Sequence, residues 1–415
     1  MSRHTLVAAV LVLATCHDRA PGVVDAPASD GPTPDATAGL PYVELPTISG
    51  YNHASETLVA ASGSNVVVVT TDQAFPSADS FAIPTVPDND PAHPFRKVVF
   101  ATSHDLGATF SAPRSLVVGS CTDPLIASSV DGSFWAGCNN PDLSMPHADL
   151  LHSTDGGDTF VVVASPMISD KAWIAVDEPR HAVWMTGFRA FRLFGFDGSE
   201  LAALDTPTSG ITGSFADAAG LHFMTDNDDF QMFTWNGVDP PTAEGMPLEK
   251  GDMASLWTTA DVSMGDHAPG QWVVRAIRDT VLGSPIVIRT RSVGDPGHDV
   301  AISPPGTIGF LPAATLDPDG RLHVVWYDSS GPTGQLMYSR SATADLQGGY
   351  TTPVVIDGNA CPGGGWYPYD AGKNPPGGRR LREYVGIAIT GNHALISWTH
   401  APEAPSRIRI AHIDF

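Results

Sequence analysis

The stretches "SHDLGATF" (Ser103–Phe110) and "STDGGDTF" (Ser153–Phe160) share the pattern S-x-D-x-G-x-T-F and begin fifty residues apart. Each follows a short alternating apolar run, "KVVFA" before Ser103 and "ADLLH" before Ser153, so each reads as the turn between two strands. Within such a turn the carboxylates of Asp105 and Asp155 are placed to accept backbone N–H groups, while Gly107 and Gly157 permit positive φ. Thr109 and Thr159 are expected to start the next strand. Phe110 and Phe160 are expected to pin the turn to its sheet, each burial stabilising by roughly 1.5–3 kcal/mol.

Seven stretches along the chain repeat one order: a polar residue, a short strand, a turn, then a more apolar strand. They begin at Ala54 ("ASETLVAASGSNVVVVTTD"), Cys121, Ser169, Ser209, about Ser255 in a looser copy, Phe310 and Arg382. Their tips carry Asp-Gly, Pro-Arg, Ala-Gly or Gly-Asn, which suit tight turns. This spacing is the scale of a four-stranded propeller blade. The expected fold is all-β, a single β-propeller of seven four-stranded antiparallel blades over residues 42–415. Six blades are the alternative if the loose fifth unit merges with a neighbour. Pairing of "YVELPTI" (Tyr42–Ile48) with "RIRIAHIDF" (Arg407–Phe415) is expected to close the ring and remove exposed edges.

The two octapeptides resemble the Asp-box, or BNR repeat, of the sialidase-like propellers, with weaker relics at "SVGDPGHDV" from Ser292 and "SATADLQGGYTTP" from Ser341. The resemblance implies that Ser103, Asp105, Gly107, Thr109 and Phe110, and likewise Ser153, Asp155, Gly157, Thr159 and Phe160, are architectural and lie on the outer rim. It also implies what a sialidase of this kind shows: three arginines for the substrate carboxylate, an Asp acid/base, and a Tyr nucleophile activated by Glu. The first blade's innermost strand carries Glu56 and no Arg; Arg96 enters the third strand, and Arg275, Arg278, Arg289 and Arg291 cluster in the fifth unit.

Composition narrows the partners. The 45 acidic residues, 37 of them Asp, against 22 basic ones give a net charge of −23, and only four residues are Lys. Such a surface repels nucleic acid and anionic lipid headgroups. "MSRHTLVAAVLVLATC" has a short positive start and ten apolar residues, Thr5–Ala14, which suit an export signal and are too short to span a bilayer. Its end, Leu13-Ala14-Thr15-Cys16, resembles a bacterial lipobox, implying acylation of Cys16; an ordinary signal peptide is the alternative. Residues 17–41 are Pro, Ala, Asp and Gly-rich and read as an extended tether. His17 after the cysteine, rather than Asp, resembles the enteric sorting pattern and so implies the outer membrane, with membrane contact through the N-terminal lipid alone. Of the remaining cysteines, Cys121 and Cys138 form a disulfide with Cys361 free, or all three are buried thiols.

The residues that open the units line the channel of a propeller: Glu56, Asp123, Asp170 with Lys171, and Arg382 with Glu383 and Tyr384. They suit a polar ligand, or are simply solvated strand starts. Asp88–Asp90 and Asp226–Asp229 lack the spacing of a calcium loop, the 15 histidines show no zinc spacing, and no cofactor motif appears. Trp366, Tyr367 and Tyr369 lie in a long loop, either stacking sugar or packing that loop. The expectation is therefore a monomeric surface module binding a glycan or protein ligand, without metal or cofactor. A sialidase-like glycoside hydrolase and a structural envelope scaffold are the alternatives.

Overall fold

Val66–Val69 is a continuous apolar run, and a strand with no polar side must be covered on both faces. In the computed structural model all four valines are fully buried. Val66 and Val68 pack with Leu395, Ile408 and Ile410 from the end of the chain, whereas Val67 and Val69 pack with Cys121, Phe134 and Cys138 from the following unit. Alternate side chains point to opposite faces, so one strand lies between two neighbouring sheets. The same layering recurs in the clusters that hold Trp135 with Met185, Trp184 with Phe223, and Val274 with Trp326 and Trp398.

The structure describes residues 39–75, 95–140, 147–188, 190–205, 211–225, 230–248, 262–267, 270–278, 286–292, 299–344, 346, 348–366, 381 and 384–415. Among these, seven four-stranded antiparallel sheets follow one another, each with strands in sequence order except the last. The first contains His53–Ser62, Asn65–Gln73, Arg96–Ser103 and Arg114–Ser115; the second contains Thr122–Ser128, Phe134–Asn140, His147–Ser153 and Val161–Ala164. The loose fifth unit forms a sheet of its own, opening with Val262–His267 and Gly270–Arg278. The first strands adjoin in chain order, and that of the seventh sheet, Gly386–Thr390, adjoins His53–Ser62. This is a β-propeller. The one helical turn among the described residues is Glu178–Arg180.

Tyr42–Leu45 supplies the outer strand of the seventh sheet, pairing with Arg407–Asp414 from Tyr42 opposite Ala411 to Leu45 opposite Ile408. Just before it, the Leu40 N–H donates to Ile356 O on the sixth sheet, 2.9 Å away. Arg409 locks the join: its Nε donates to Glu44 at 3.1 Å and its guanidinium lies 4.0 Å from the centre of the Tyr42 ring. Its Nη1 donates to Asp357 Oδ2, which also accepts Trp398 Nε1 and faces His400 Nδ1. Burial raises the Asp357 carboxyl, but the hydrogen bond and charge of His400, the Asn359 N–H and the Trp398 indole hold it down at about 2.

Both octapeptide turns share one geometry. Ser103 Oγ donates to Asp105 Oδ1 and accepts the Gly107 N–H; the Thr109 N–H and hydroxyl donate to the two Asp105 oxygens at 2.9 and 2.6 Å. Ser153, Asp155, Gly157 and Thr159 repeat every one of these contacts. Two expectations are corrected. Thr109 and Thr159 do not start strands, which begin at Arg114 and Val161, because their N–H groups are spent closing the Asp turn. Phe110 and Phe160 pack against the preceding sheet: Phe160 meets Phe100 edge-on at 5.0 Å, and Phe110 joins the cluster of Leu395 and Ala388. The turns therefore staple neighbours together. Of the weaker relics, residues 293–298 and Asp345 lie outside the described residues. In the second relic the Ser341 hydroxyl donates to Thr343 O and accepts the Leu322 N–H.

Cys121 and Cys138 form a disulfide that ties the start of the second sheet to its second strand. Cys361 is a buried thiol whose pKa burial pushes well above the usual range. Residues 1–38, with Cys16, lie outside the described residues. Among those described, no helix is long and apolar enough to cross a membrane.

The second turn supplies a test of the stapling. Thr102 Oγ1 donates to Gly157 O at 2.6 Å, and a Cβ on Gly157, whose φ is +94°, would stand 2.2 Å from Val67 Cγ2. Gly157→Ala is expected to destabilise the fold by about 1–3 kcal/mol, read as a lowered urea midpoint.

Candidate functional site

Antiparallel order puts the first-to-second turns and the octapeptide turns at one end of the ring and the starts of the innermost strands at the other. The Leu106 N–H donation to Ser64 O and that of the Thr390 hydroxyl to Gly63 O tie the turn end together. The opposite end is the mouth, where Glu56 and Asp123, singled out by the sequence, stand.

They stand on a repeated bulge. Strand pairing slips between Ser55 and Leu58, Thr122 and Leu125, and Phe310 and Ala313, and Glu56, Asp123 and Leu311 take φ of 54°, 52° and 51° at those slips. Because Leu311 adopts the same left-handed backbone, the bulge belongs to the architecture, and chemistry resides in which side chain it carries. Glu56 is only 2% exposed and Asp123 8%, so neither is a solvated strand start. Asp123 Oδ2 accepts the Thr122 hydroxyl and Asn139 Nδ2, both at 3.0 Å.

Trp173 on the third innermost strand meets Tyr384, before the seventh, edge to face at 5.8 Å. The seventh, first, second and third sheets are consecutive around the ring, and Tyr384, Glu56, Asp123 and Trp173 belong to them in that order. Tyr384 does not open a strand, as the sequence had suggested; that strand begins at Gly386, where a Cβ would stand 2.7 Å from Val59 N. Arg382 and Glu383 lie outside the described residues. Asp170 and Lys171 are placed in the third innermost strand by backbone alone.

The sequence reading missed Asp72. It lies next to the end of the second strand of the first sheet, opposite Ala54, and accepts the Ile48 N–H at 2.7 Å. Burial raises its carboxyl to about 7, against the opposing pull of the Ile48 N–H and the Arg407 charge. Burial, and next the Asp72 charge, push Tyr51 to about 12. Nothing in "VVVVTTD" marks its last residue as buried, since Asp commonly ends a strand in solvent.

The arginines do not assemble a carboxylate clamp among the described residues. Arg180 binds Asp177 and the Asp217 and Ala218 carbonyls; Arg192 binds Asp205; Arg407 donates to the Asn52 and Ser406 carbonyls. Arg96 begins the third strand, its guanidinium 5.7 Å from the centre of the Phe95 ring. The side chains of Arg275, Arg278, Arg289 and Arg291 lie outside the described part. Trp366 packs edge-on against Phe310 at 5.9 Å, whereas Tyr367, Tyr369, Asp88–Asp90 and Asp226–Asp229 are not among the described residues.

His393, His412 and Asp414 converge at the turn end of the seventh sheet with donor atoms all within 4.8 Å of one another. A search for local spacing could not find them, because two come from one strand and the third from its partner.

No protein-family model and no curated protein matches the chain. Solved structures do. A protein of unknown function from Dyadobacter fermentans is 15% identical, covering 92% of this chain and 100% of its own, with a TM-score of 0.52. The β-propeller domain of the Trilobed protease from Pyrococcus furiosus is 8% identical, covering 88% and 96%, with a TM-score of 0.49. The Hadza microbial sialidase Hz136 is 10% identical, covering 88% and 66%, with a TM-score of 0.43. At these identities the likeness concerns fold alone.

A raised carboxyl predicts a pH dependence of stability. With Asp72 near 7 folded and 3.8 otherwise, the folded chain binds the extra proton between those values. Its contribution is present below about pH 4, declines as pH rises, and is gone above about pH 7. Asp72→Asn is expected to gain stability on the wild type from pH 5 to 7 and to hold that gain at pH 8, as read from urea midpoints across that series.

Proposed function

We propose that this chain is an exported Asp-box propeller of seven blades, related in design to the sialidases, that binds a glycan at the mouth of its channel without hydrolysing it. The observation that carries the reading is that the innermost strands of consecutive sheets carry the carboxylates Glu56 and Asp123 and the Trp173 ring, which meets Tyr384 edge to face. Sugars present hydroxyl groups as donors and flat apolar C–H faces, which carboxylates and aromatic rings respectively complement.

Glycoside hydrolysis of a sialic acid needs cationic donors around the substrate carboxylate. The described guanidiniums are engaged between strands and sheets instead, which favours binding over turnover. The net charge of −23 also disfavours an anionic sugar as ligand. Neutral glycans fit better.

At the other terminus, Cys16 is the proposed acylation site, and residues 17–41 the spacer that holds the propeller off an outer membrane. Palmitate is expected to label the wild type and leave Cys16→Ser unlabelled.

The binding reading is tested by presenting a panel of neutral and sialylated glycans to the purified protein. Retention of a neutral glycan, weakened at least tenfold in Trp173→Ala and in Asp123→Asn, is the expected result. Release of fluorophore from a fluorogenic sialoside above background would overturn it in favour of the hydrolase.

A further inference from the structure

His412 and Asp414 are alternate residues of the strand Arg407–Asp414, so their side chains share one face. His393 opens the neighbouring strand His393–His400 and stands directly opposite Asp414 in the register. Cross-strand partners also share a face. The sheet thus brings three donors together from positions nineteen or more residues apart on one side and two apart on the other.

The three donor atoms form a closed triangle. His393 Nδ1 lies 2.9 Å from His412 Nε2 and 2.7 Å from Asp414 Oδ1, and His412 Nε2 lies 2.7 Å from the same oxygen. Hydrogen bonds alone do not satisfy such a triangle. An ionised carboxylate has no proton to give, and each ring nitrogen carries at most one. If both nitrogens carry protons directed at Asp414, two N–H groups abut at 2.9 Å. If only one does, the bare nitrogen and the carboxylate face each other at 2.7 Å with lone pairs on both sides. One cation seated above the triangle accepts all three lone pairs together.

The dimensions agree with that alternative. Donors about 2.0–2.2 Å from a common ion stand roughly 2.8–3.6 Å apart for angles between a right angle and the tetrahedral value. The edges of 2.7, 2.7 and 2.9 Å lie at or just under the short end of that range, as for a cap of three donors at angles near or slightly under a right angle, with the outward positions open to water. Two imidazoles and one carboxylate select a borderline transition cation over the all-oxygen ligand sets of calcium and magnesium. His393 is 24% exposed, His412 36% and Asp414 71%, so an ion enters from solvent without opening the fold.

We propose that His393, His412 and Asp414 are a binding site for a divalent first-row transition cation, with Zn²⁺ as its representative. Bound there, the ion cross-links the strand that closes the ring to its inner neighbour. The site is at the turn end, away from the mouth, and stands independently of any glycan reading.

The test uses the full chain stripped with a chelator and titrated with Zn²⁺ by calorimetry. Saturable binding of one Zn²⁺ per chain at micromolar free metal is expected, weakened at least tenfold in His393→Ala and in His412→Ala. Asp414→Asn, at the most exposed of the three positions, guards against loss of fold and is expected to weaken binding to the same degree. His104→Ala, on the first octapeptide turn, is expected to bind as the wild type does. Zn²⁺ is also expected to raise the thermal midpoint of the wild type and not that of Asp414→Asn. Absence of a saturable equivalent, or binding unchanged across the three site variants, would overturn the proposal, as would equal competition by Ca²⁺.

Discussion

Everything in this fold depends on strands that are apolar on both faces. A sheet whose second strand buries Val66 and Val68 to one side and Val67 and Val69 to the other cannot stop at an edge. Each added sheet covers its predecessor and exposes a fresh apolar face, and only return to the first sheet ends the sequence. The return is made by Tyr42–Leu45 on Arg407–Asp414. Asp357 extends the join to the sixth sheet by accepting from both Trp398 and Arg409. Four short antiparallel pairs would be weak alone; the buried charge network and the covering sheets fix their register, since a one-residue slip would turn Leu45 from core to solvent.

The octapeptide turns serve the same demand at the level of pairs of sheets. Their internal hydrogen bonds are local and identical in both copies, which is why they are legible in the sequence: serine, aspartate, glycine and threonine each satisfy a partner within four residues. Their outward contacts are not local. Gly157 meets Val67 and Thr102 of the preceding sheet, and His104 lies between Asn65 and Asp158. Sequence spacing reveals the turn, and the neighbour it grips emerges only from the ring.

The same distinction separates the legible from the illegible elsewhere. Strand pairs with tight turns, such as Gly309–Leu316 with Leu322–Asp328, are evident from period-two patterning. The loose fifth unit is harder to see, because Gly265 and the Gly270 turn replace the apolar signal that marks the others. Among site residues, Glu56 and Asp123 attract notice as charges beside apolar runs, yet their left-handed backbone and deep burial follow from bulges that no propensity indicates. Asp72 and Trp173 look like a strand end and a core residue. Their roles come from the sheets that surround them, which the linear sequence does not show.

Separating the two ends of the ring has a physical basis. At the turn end, chain reversals need Asp, Gly, Ser and Thr for backbone hydrogen bonding, and those residues are committed to holding shape. At the mouth, three innermost strands carry one residue each in the same left-handed bulge, and its identity varies from Glu56 to Asp123 to Leu311 with the backbone kept. A position whose geometry is constant and whose chemistry is variable is suited to recognition, since a change of residue there alters the ligand without altering the fold. The histidine pair at the turn end departs from this division. His393 and His412 are not needed to reverse the chain, which Gly391 accomplishes at φ +57°, so their convergence with Asp414 demands a reason apart from the turn.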